Sequence, residues 1–140
     1  MNRGEDIRWH QRSQNFSKAF ALLDEAIGET EIDALSPLEQ EGVIRRFECT
    51  FELAWKTAKD YLEASGIRLA EVSPRAVIKE AFAAGLISDG QVFIDMMLSR
   101  NQLSHMYDNA KFRDVLCSVK TRYLAALGQL HVFLEERKTE

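Results

Sequence analysis

The sequence predicts an all-α protein that folds as an antiparallel up-and-down four-helix bundle with a short extra helix. Apolar residues recur at three- and four-residue steps over long stretches, and no segment alternates as a half-buried strand does. Only two prolines and seven glycines interrupt the 140 residues. Amphipathic helices bury their apolar faces most simply against each other. We expect a single domain over residues 1–140, because a chain of this length supports one core.

The first two helices are predicted from apolar periodicity and from their end signals. The first spans roughly residues 7–27, and Gly28 stops it. The second opens at residues 36–39, Ser-Pro-Leu-Glu, which form a capping box with proline at the first helical position. Gly66 ends this second helix. The expected apolar stripes are Phe16, Ala19, Phe20, Leu23, Ala26 and Ile27 in the first helix, and Val43, Phe47, Phe51, Ala54, Ala58, Tyr61 and Leu62 in the second.

Three charged residues of the second helix are spaced four apart. Glu52, Lys56 and Asp60 therefore lie near one another on its surface. We interpret them as a solvated ion-pair face.

The second half of the chain predicts three further helices. A short one begins at Ser-Pro and stops at glycine, over residues 73–85. Ser88 with Gln91 three residues later forms a second capping box, which opens the fourth helix. Residues 108–111, Asp-Asn-Ala-Lys, are a break, and the last helix covers roughly residues 111–135. Its expected apolar stripe is Val115, Leu116, Val119, Tyr123, Ala126, Leu127, Leu130 and Leu134.

Several classes of chemistry have no signal in the sequence. The net charge of −4 argues against broad charge-driven binding of nucleic acid. No glycine-rich phosphate loop or dinucleotide fingerprint occurs, and no two histidines have metal-ligand spacing, so we expect no cofactor and no metal. Cys49 and Cys117 match no zinc or redox spacing and are interpreted as reduced core thiols. No apolar run could span a bilayer, and the polar N-terminus is no signal peptide, so we expect a cytoplasmic protein without membrane contact.

The stretch SRNQLSHMYD, residues 99–108, carries an unusual concentration of polar groups. On a helical wheel these groups cover one face of about 160°. Three apolar residues one or two turns earlier share that face. The polar groups are Arg100, Asn101, Ser104, His105, Tyr107 and Asp108, and the apolar residues are Phe93, Met96 and Met97.

A polar cluster on an apolar stripe should be buried or covered. Because an unpaired buried arginine is costly, either internal carboxylates pair Arg100, or a second chain and a phosphate-bearing ligand complete the site. Alternatively, Arg100 is a helix-terminal charge and His105 a satisfied histidine near the helix C-terminus, where a cation suits the helix dipole.

The segment RNQLSHMY, residues 100–107, resembles the Arg-x4-His-x-Tyr motif of HEPN domains, the higher-eukaryote and prokaryote nucleotide-binding domains. RFECTFELAWKTAKDYLEASGI, residues 46–67, and SPRAVIKEAFAAGLISDG, residues 73–90, are similar to the nucleotidyltransferase substrate-binding protein family within that group. WHQRSQNFSKAFALL, residues 9–23, fits as well. The resemblance covers nearly the whole chain.

The resemblance implies a homodimeric helical bundle that works with a minimal nucleotidyltransferase encoded nearby. In one role the bundle is a non-catalytic subunit that helps to bind the substrate of the transferase. In the alternative role it is the toxin of a toxin–antitoxin pair, a metal-independent ribonuclease that binds RNA and that the transferase silences by nucleotidylation. A structural scaffold without catalysis is a further alternative.

The resemblance assigns roles to single residues. Arg100 and His105 match the catalytic pair, Tyr107 matches the modified tyrosine, and Asn101 matches the polar residue after the arginine. We expect Ser104 and Asp108 to support them. Histidine can move a proton near neutral pH, and the guanidinium fork suits phosphate oxygens. On one straight helix the catalytic pair points about 140° apart, so a two-fold dimer would bring two copies together.

Overall fold

The computed structural model describes residues 3–103 and 108–139, and all regular secondary structure in these ranges is helical. The helices are α1 (Arg3–Ile27), α2 (Pro37–Ala64), α3 (Pro74–Ala83), α4 (Gly90–Gln102), α5 (Asn109–Ser118) and α6 (Leu124–Lys138). A 3-10 turn, Ile32–Ala34, lies between α1 and α2, and a π-helical turn, Val119–Tyr123, continues α5 into α6. The predicted all-α fold class is confirmed.

The end signals of α2 and α3 act as the sequence predicts. Ser36 and Glu39 form the capping box, with the Ser36 side chain accepting from the Glu39 amide at 3.1 Å. Ser73 caps α3 by accepting from the Ala76 amide. After each helix a glycine takes positive φ, +87° at Gly66 and +85° at Gly85, which only glycine adopts without strain.

The predicted capping box of α4 is wrong. Asp89, not Ser88, is the N-cap, and its carboxylate accepts from the Val92 amide at 3.2 Å. The Ser88 hydroxyl donates to the Gln129 side chain instead. Two adjacent residues could both cap this helix, and the carboxylate does so because α4 begins one residue later than the serine pattern implies.

Contacts between α1 and α2 define an antiparallel hairpin. The Arg46 guanidinium donates to the Leu22 carbonyl at 2.7 Å. Arg12 pairs with Asp60 at 3.2 Å. Positions early in α1 thus face positions late in α2.

The rod formed by α5, the π-helical turn and α6 also runs antiparallel to α1. Ser17 and His131 share a hydrogen bond of 2.9 Å near the middle of α1. Lys120 donates to the Ile27 carbonyl at the end of α1.

Helix α4 runs antiparallel to the same rod. Asp95, near the middle of α4, pairs with Arg122. Ser88, just before the start of α4, donates to Gln129. Helices α1, α2, α4 and the α5–α6 rod are therefore the four long members of the bundle. Helix α3 packs against α2 and α4 as the extra helix.

The core is built mostly from the predicted stripes, with Ile44 of α2 as an addition that they did not include. Some stripe residues are only half-buried, namely Ala19, Phe20, Ala26, Tyr61 and Ala126. The largest fully buried side chains are Phe16, Leu23, Ile27, Ile44, Phe47, Phe51, Leu62, Met96, Leu116, Leu127, Leu130 and Leu134. The expectation of a core thiol is wrong for Cys49, which is exposed, whereas Cys117 is half-buried and packs against the core. Cys49 precedes buried Thr50 on α2 and points away from the stripe.

Candidate functional site

The predicted site residues fall at the end of α4, at the start of α5 and between them. Arg100 and Asn101 belong to the last turn of α4, which ends at Gln102. Ser104, His105 and Tyr107 lie outside the described residues, so their predicted roles and their wheel positions stay predictions.

Asp108 does not continue the helical face of Arg100. Its backbone is extended, with φ −87° and ψ 101°, and its side chain caps α5 by accepting from the amides of Ala110 and Lys111. The wheel position given to it from the sequence is wrong, because that position assumes one straight helix through residue 108. The predicted break at residues 108–111 is confirmed at Asp108 but is wrong for residues 109–111, because α5 begins at Asn109. Support of the site by Asp108 stays a prediction.

Arg100 is partly buried and is paired within the chain. Its Nη1 lies 2.6 Å from Glu52 Oε2, and its side chain is 25% exposed. The guanidinium also lies over the ring of buried Phe51, with 5.2 Å between its central carbon and the ring centroid. The first of the two possibilities raised by the sequence therefore holds for the charge of Arg100: an internal carboxylate neutralises it.

Glu52 gathers several partners on α2. Trp55 Nε1 donates to its carboxylate at 3.2 Å, and Lys56 Nζ lies 3.1 Å from it. Burial acts to raise the pKa of Glu52. The hydrogen bonds from Trp55 and Lys56, and the charges of Lys56 and Arg100, together outweigh burial and hold that pKa below its usual value.

The sequence reading missed the link between Glu52 and Arg100. It placed Glu52 on a solvated face because of its spacing from Lys56, and that pair does exist. A signal was present, because Glu52 directly follows Phe51 of the apolar stripe and so sits at its flank. A carboxylate at the flank can reach a neighbouring helix.

The interpretation of Asp60 as part of a solvated face is wrong. Only 2% of this residue is exposed, and its carboxylate lies 3.2 Å from Arg12 and 3.3 Å from Lys59. Neither contact has hydrogen-bond geometry. Helix α1 packs over α2 at Asp60, so this end of the face predicted to be solvated is covered. Lys56 and Glu52, at the other end, are 40% and 39% exposed.

A cleft of about 510 Å³ opens beside Arg100, between the start of α3 and the last turns of α4. Three of its lining side chains are cationic and one is a carboxylate. The cations are Arg75, Lys79 and Arg100, and the carboxylate is Glu71. Asn101, the second predicted site residue that the structure describes, also lines the cleft and is exposed.

A hydrogen bond fixes the helix that presents Arg100. Ser99 Oγ and Tyr123 Oη lie 2.7 Å apart, and the Tyr123 ring stacks on Phe47 at 5.5 Å between centroids. The residue directly before Arg100 is thereby tied to the π-helical turn. This contact orients the end of α4 relative to the bundle.

No group of three histidine, cysteine or acidic side chains within residues 3–103 and 108–139 is placed to hold a metal ion. Among the helices described there, none is long and apolar enough to cross a membrane.

Comparison with known proteins identifies the family. Residues 11–136 match the family described as nucleotidyltransferase substrate binding protein like. The chain belongs to this family. The match includes the hairpin of α1 and α2, the cleft and the predicted motif.

Two proteins from Haemophilus influenzae are similar to this chain. One solved structure superposes with a TM-score of 0.76 at 22% identity, covering 88% of this chain and 98% of that one. It is described as revealing the fold of a substrate binding domain of a nucleotidyltransferase. A protein named "Probable ribonuclease HepT" is 30% identical over 81 residues, which are 56% of each protein. The chain thus matches about half the length of that curated relative.

Proposed function

We propose that this chain is the helical partner subunit of a minimal nucleotidyltransferase, in a cytoplasmic pair of the toxin–antitoxin type. Membership of the nucleotidyltransferase substrate-binding family over residues 11–136 carries the proposal. In this proposal residues 1–140 act as one HEPN-like domain and form a homodimer. The transferase supplies the nucleotide and metal chemistry, and the bundle supplies a surface that the transferase recognises.

Co-purification tests the partner role. A tagged full-length chain is co-expressed with the small transferase encoded beside it, if the neighbouring reading frame encodes one. We expect a complex that survives gel filtration. Separate elution of two folded proteins at micromolar concentration, or a neighbourhood without a transferase, would contradict the proposal.

A second function is favoured by the position of Arg100. The chain is a metal-independent ribonuclease in which Arg100 and His105 act on RNA. Support comes from a motif arginine at the edge of a cationic cleft and from the curated relative named "Probable ribonuclease HepT". Asn101, in the last turn of α4, and Ser104 of the motif assist the catalytic pair.

The chemistry of this second function follows from the two side chains. The ribose 2′-oxygen attacks the adjacent phosphorus while its proton passes to a histidine acting as base. The bond to the 5′-oxygen of the next nucleotide breaks, and that oxygen takes up a proton. The products are a 2′,3′-cyclic phosphate and a 5′-hydroxyl. Arg100 stabilises the negative charge on the phosphorane.

The internal pairing of Arg100 changes the grounds for a homodimer. Because Glu52 neutralises Arg100, the burial of this arginine requires no second chain. The second reason from the sequence assumes a straight helix through His105, whereas α4 ends at Gln102. The homodimer and its composite site therefore rest on the family resemblance. Small-angle scattering measures the mass in solution. A stable monomer that cleaves RNA would exclude the composite site.

Substitution at the motif tests the ribonuclease. His105→Ala and Arg100→Ala should each lower cleavage by about 100-fold or more, with the helical circular dichroism unchanged. Cleavage by the wild-type chain should persist in a chelator. Cleavage that needs a divalent ion, or that both variants retain, would contradict this role. If neither partner binding nor cleavage is found, the structural scaffold remains.

A further inference from the structure

The cleft between α3 and α4 is locally positive on a chain that is acidic overall. The net charge of the chain is −4, whereas three cations and one carboxylate line the cleft. Because Glu52 neutralises Arg100, one net positive charge remains there. General attraction of a polyanion to this chain is weak. A polyanion that does bind will therefore be directed to this cleft.

Two of the cations in the cleft form no ion pair within the described part of the chain. Arg75 and Lys79 lie one turn apart on α3, and both are exposed. No carboxylate of residues 3–103 or 108–139 forms an ion pair with either of them, whereas Glu52 pairs with Arg100 on the opposite wall. Two like charges at this spacing lower the stability of a helix. A ligand outside the chain that neutralises both would remove this cost.

We propose that Arg75 and Lys79 hold an RNA phosphate next to the phosphate at Arg100. The proposal rests on the ribonuclease role and deepens it, because it adds a binding subsite outside the motif. The volume of about 510 Å³ lies in the range of ligand sites in proteins and exceeds that of one phosphate group. The cleft therefore holds a nucleotide unit that flanks the scissile bond. Glu71 at its margin repels phosphate and restricts the path of the strand.

Binding of a fluorescent single-stranded RNA oligonucleotide tests the subsite. The full-length His105→Ala chain prevents cleavage during titration, and Arg75→Gln with Lys79→Gln is added in the test variant. Each phosphate contact contributes about 0.7 to the salt slope of single-strand binding, so losing two lowers the slope by about 1.4. When salt is raised from about 50 to about 200 mM, both chains lose affinity for RNA. The fold-loss should be about seven times smaller for the test variant than for its parent.

A matched control removes two charges elsewhere. Lys18→Gln with Arg45→Gln changes exposed helical cations outside the cleft, and neither residue has an ion pair among the described residues. This control should keep the salt slope of the parent. Equal slopes in parent, test variant and control would overturn the subsite, and so would an RNA that does not bind the parent.

Three further outcomes separate the subsite from the role on which it rests. If the wild-type chain cuts no RNA but the test variant shows the reduced slope, the subsite holds and the ribonuclease role fails. If the wild-type chain cuts RNA and Arg75→Gln with Lys79→Gln, made in the chain that retains His105, keeps the wild-type KM, the subsite fails and the ribonuclease role holds. If the substitutions leave RNA binding intact but release the transferase, the cleft binds an acidic protein surface and the proposal is overturned.

Discussion

Glu52 Oε2 lies 2.6 Å from Arg100 Nη1, and this ion pair joins the middle of α2 to the last turn of α4. The ion pair thus holds Arg100 from α2, although the motif of residues 100–107 includes no residue of α2. Lys56 and Trp55 hold the carboxylate from the other side. The position of Arg100 at the cleft therefore depends on α2 as well as on α4.

Glu52→Gln should cost less than about 1 kcal/mol of stability, because both side chains of the pair are partly exposed. The cost should depend on pH. Since the pKa of Glu52 is lowered in the folded chain, its contribution is fully present above its unfolded value of about 4.3 and is lost as pH falls through the folded value. Urea unfolding at a series of pH values measures the difference between wild type and variant.

Glu41→Gln is the matched control for this prediction. Glu41 is exposed on the same helix and forms no ion pair among the described residues. Its substitution should change stability little at any pH. A difference between Glu52→Gln and wild type that stays constant down to about pH 3 would show that the ion pair is not its source.

Arg12→Ala should destabilise the chain by about 2 kcal/mol, because it removes a counter-charge from the buried carboxylate of Asp60. The value is below that of a fully buried pair, since the Arg12 side chain is 34% exposed and Lys59 still faces Asp60. Arg8→Ala is the control, because Arg8 is exposed on the same helix.

A double-mutant cycle with Asp60→Asn separates charge from packing at this position. In the Asp60→Asn background a neutral amide replaces the carboxylate and requires no counter-charge. Arg12→Ala should therefore cost clearly less stability than in wild type. Equal costs in both backgrounds would mean that Arg12 acts through its aliphatic stem.

The fold could be predicted from the sequence because its signals are local. The capping box of residues 36–39 and the glycine at position 66 mark the ends of α2 through contacts within a few residues. The pairing of Arg100 with Glu52 and that of Arg12 with Asp60 could not be predicted in the same way. Each pair joins two helices, and the spacing within one helix does not specify which face a neighbour covers.

The start of α4 gives a third prediction, between two adjacent residues. Asp89→Ala should destabilise the chain by about 1 kcal/mol, because it leaves the Val92 amide without its cap. Ser88→Ala removes only an exposed hydrogen bond to Gln129 and should cost less. Thermal unfolding of the two variants side by side measures the order. A larger cost for Ser88→Ala would restore the cap expected from the sequence.

Tyr107 is the residue that the partner transferase should modify. By sequence it lies seven residues after Arg100 and directly before Asp108, the cap of α5. A nucleotide monophosphate on its hydroxyl would add negative charge to the motif segment that follows Arg100 in the sequence. Such a group would compete with an RNA phosphate by charge pairing and by bulk. Modification should therefore lower RNA binding as well as cleavage.

Mass spectrometry after co-expression with the transferase measures this modification. Trypsin releases residues 101–111 as one peptide, in which Tyr107 is the single tyrosine. That peptide should gain one or more nucleotide monophosphates in wild type and none in Tyr107→Phe. The peptide of residues 123–137 is the internal control, because its Tyr123 is 2% exposed and its hydroxyl is bonded to Ser99. If the transferase modifies another substrate but leaves the 101–111 peptide unmodified, silencing through Tyr107 is contradicted.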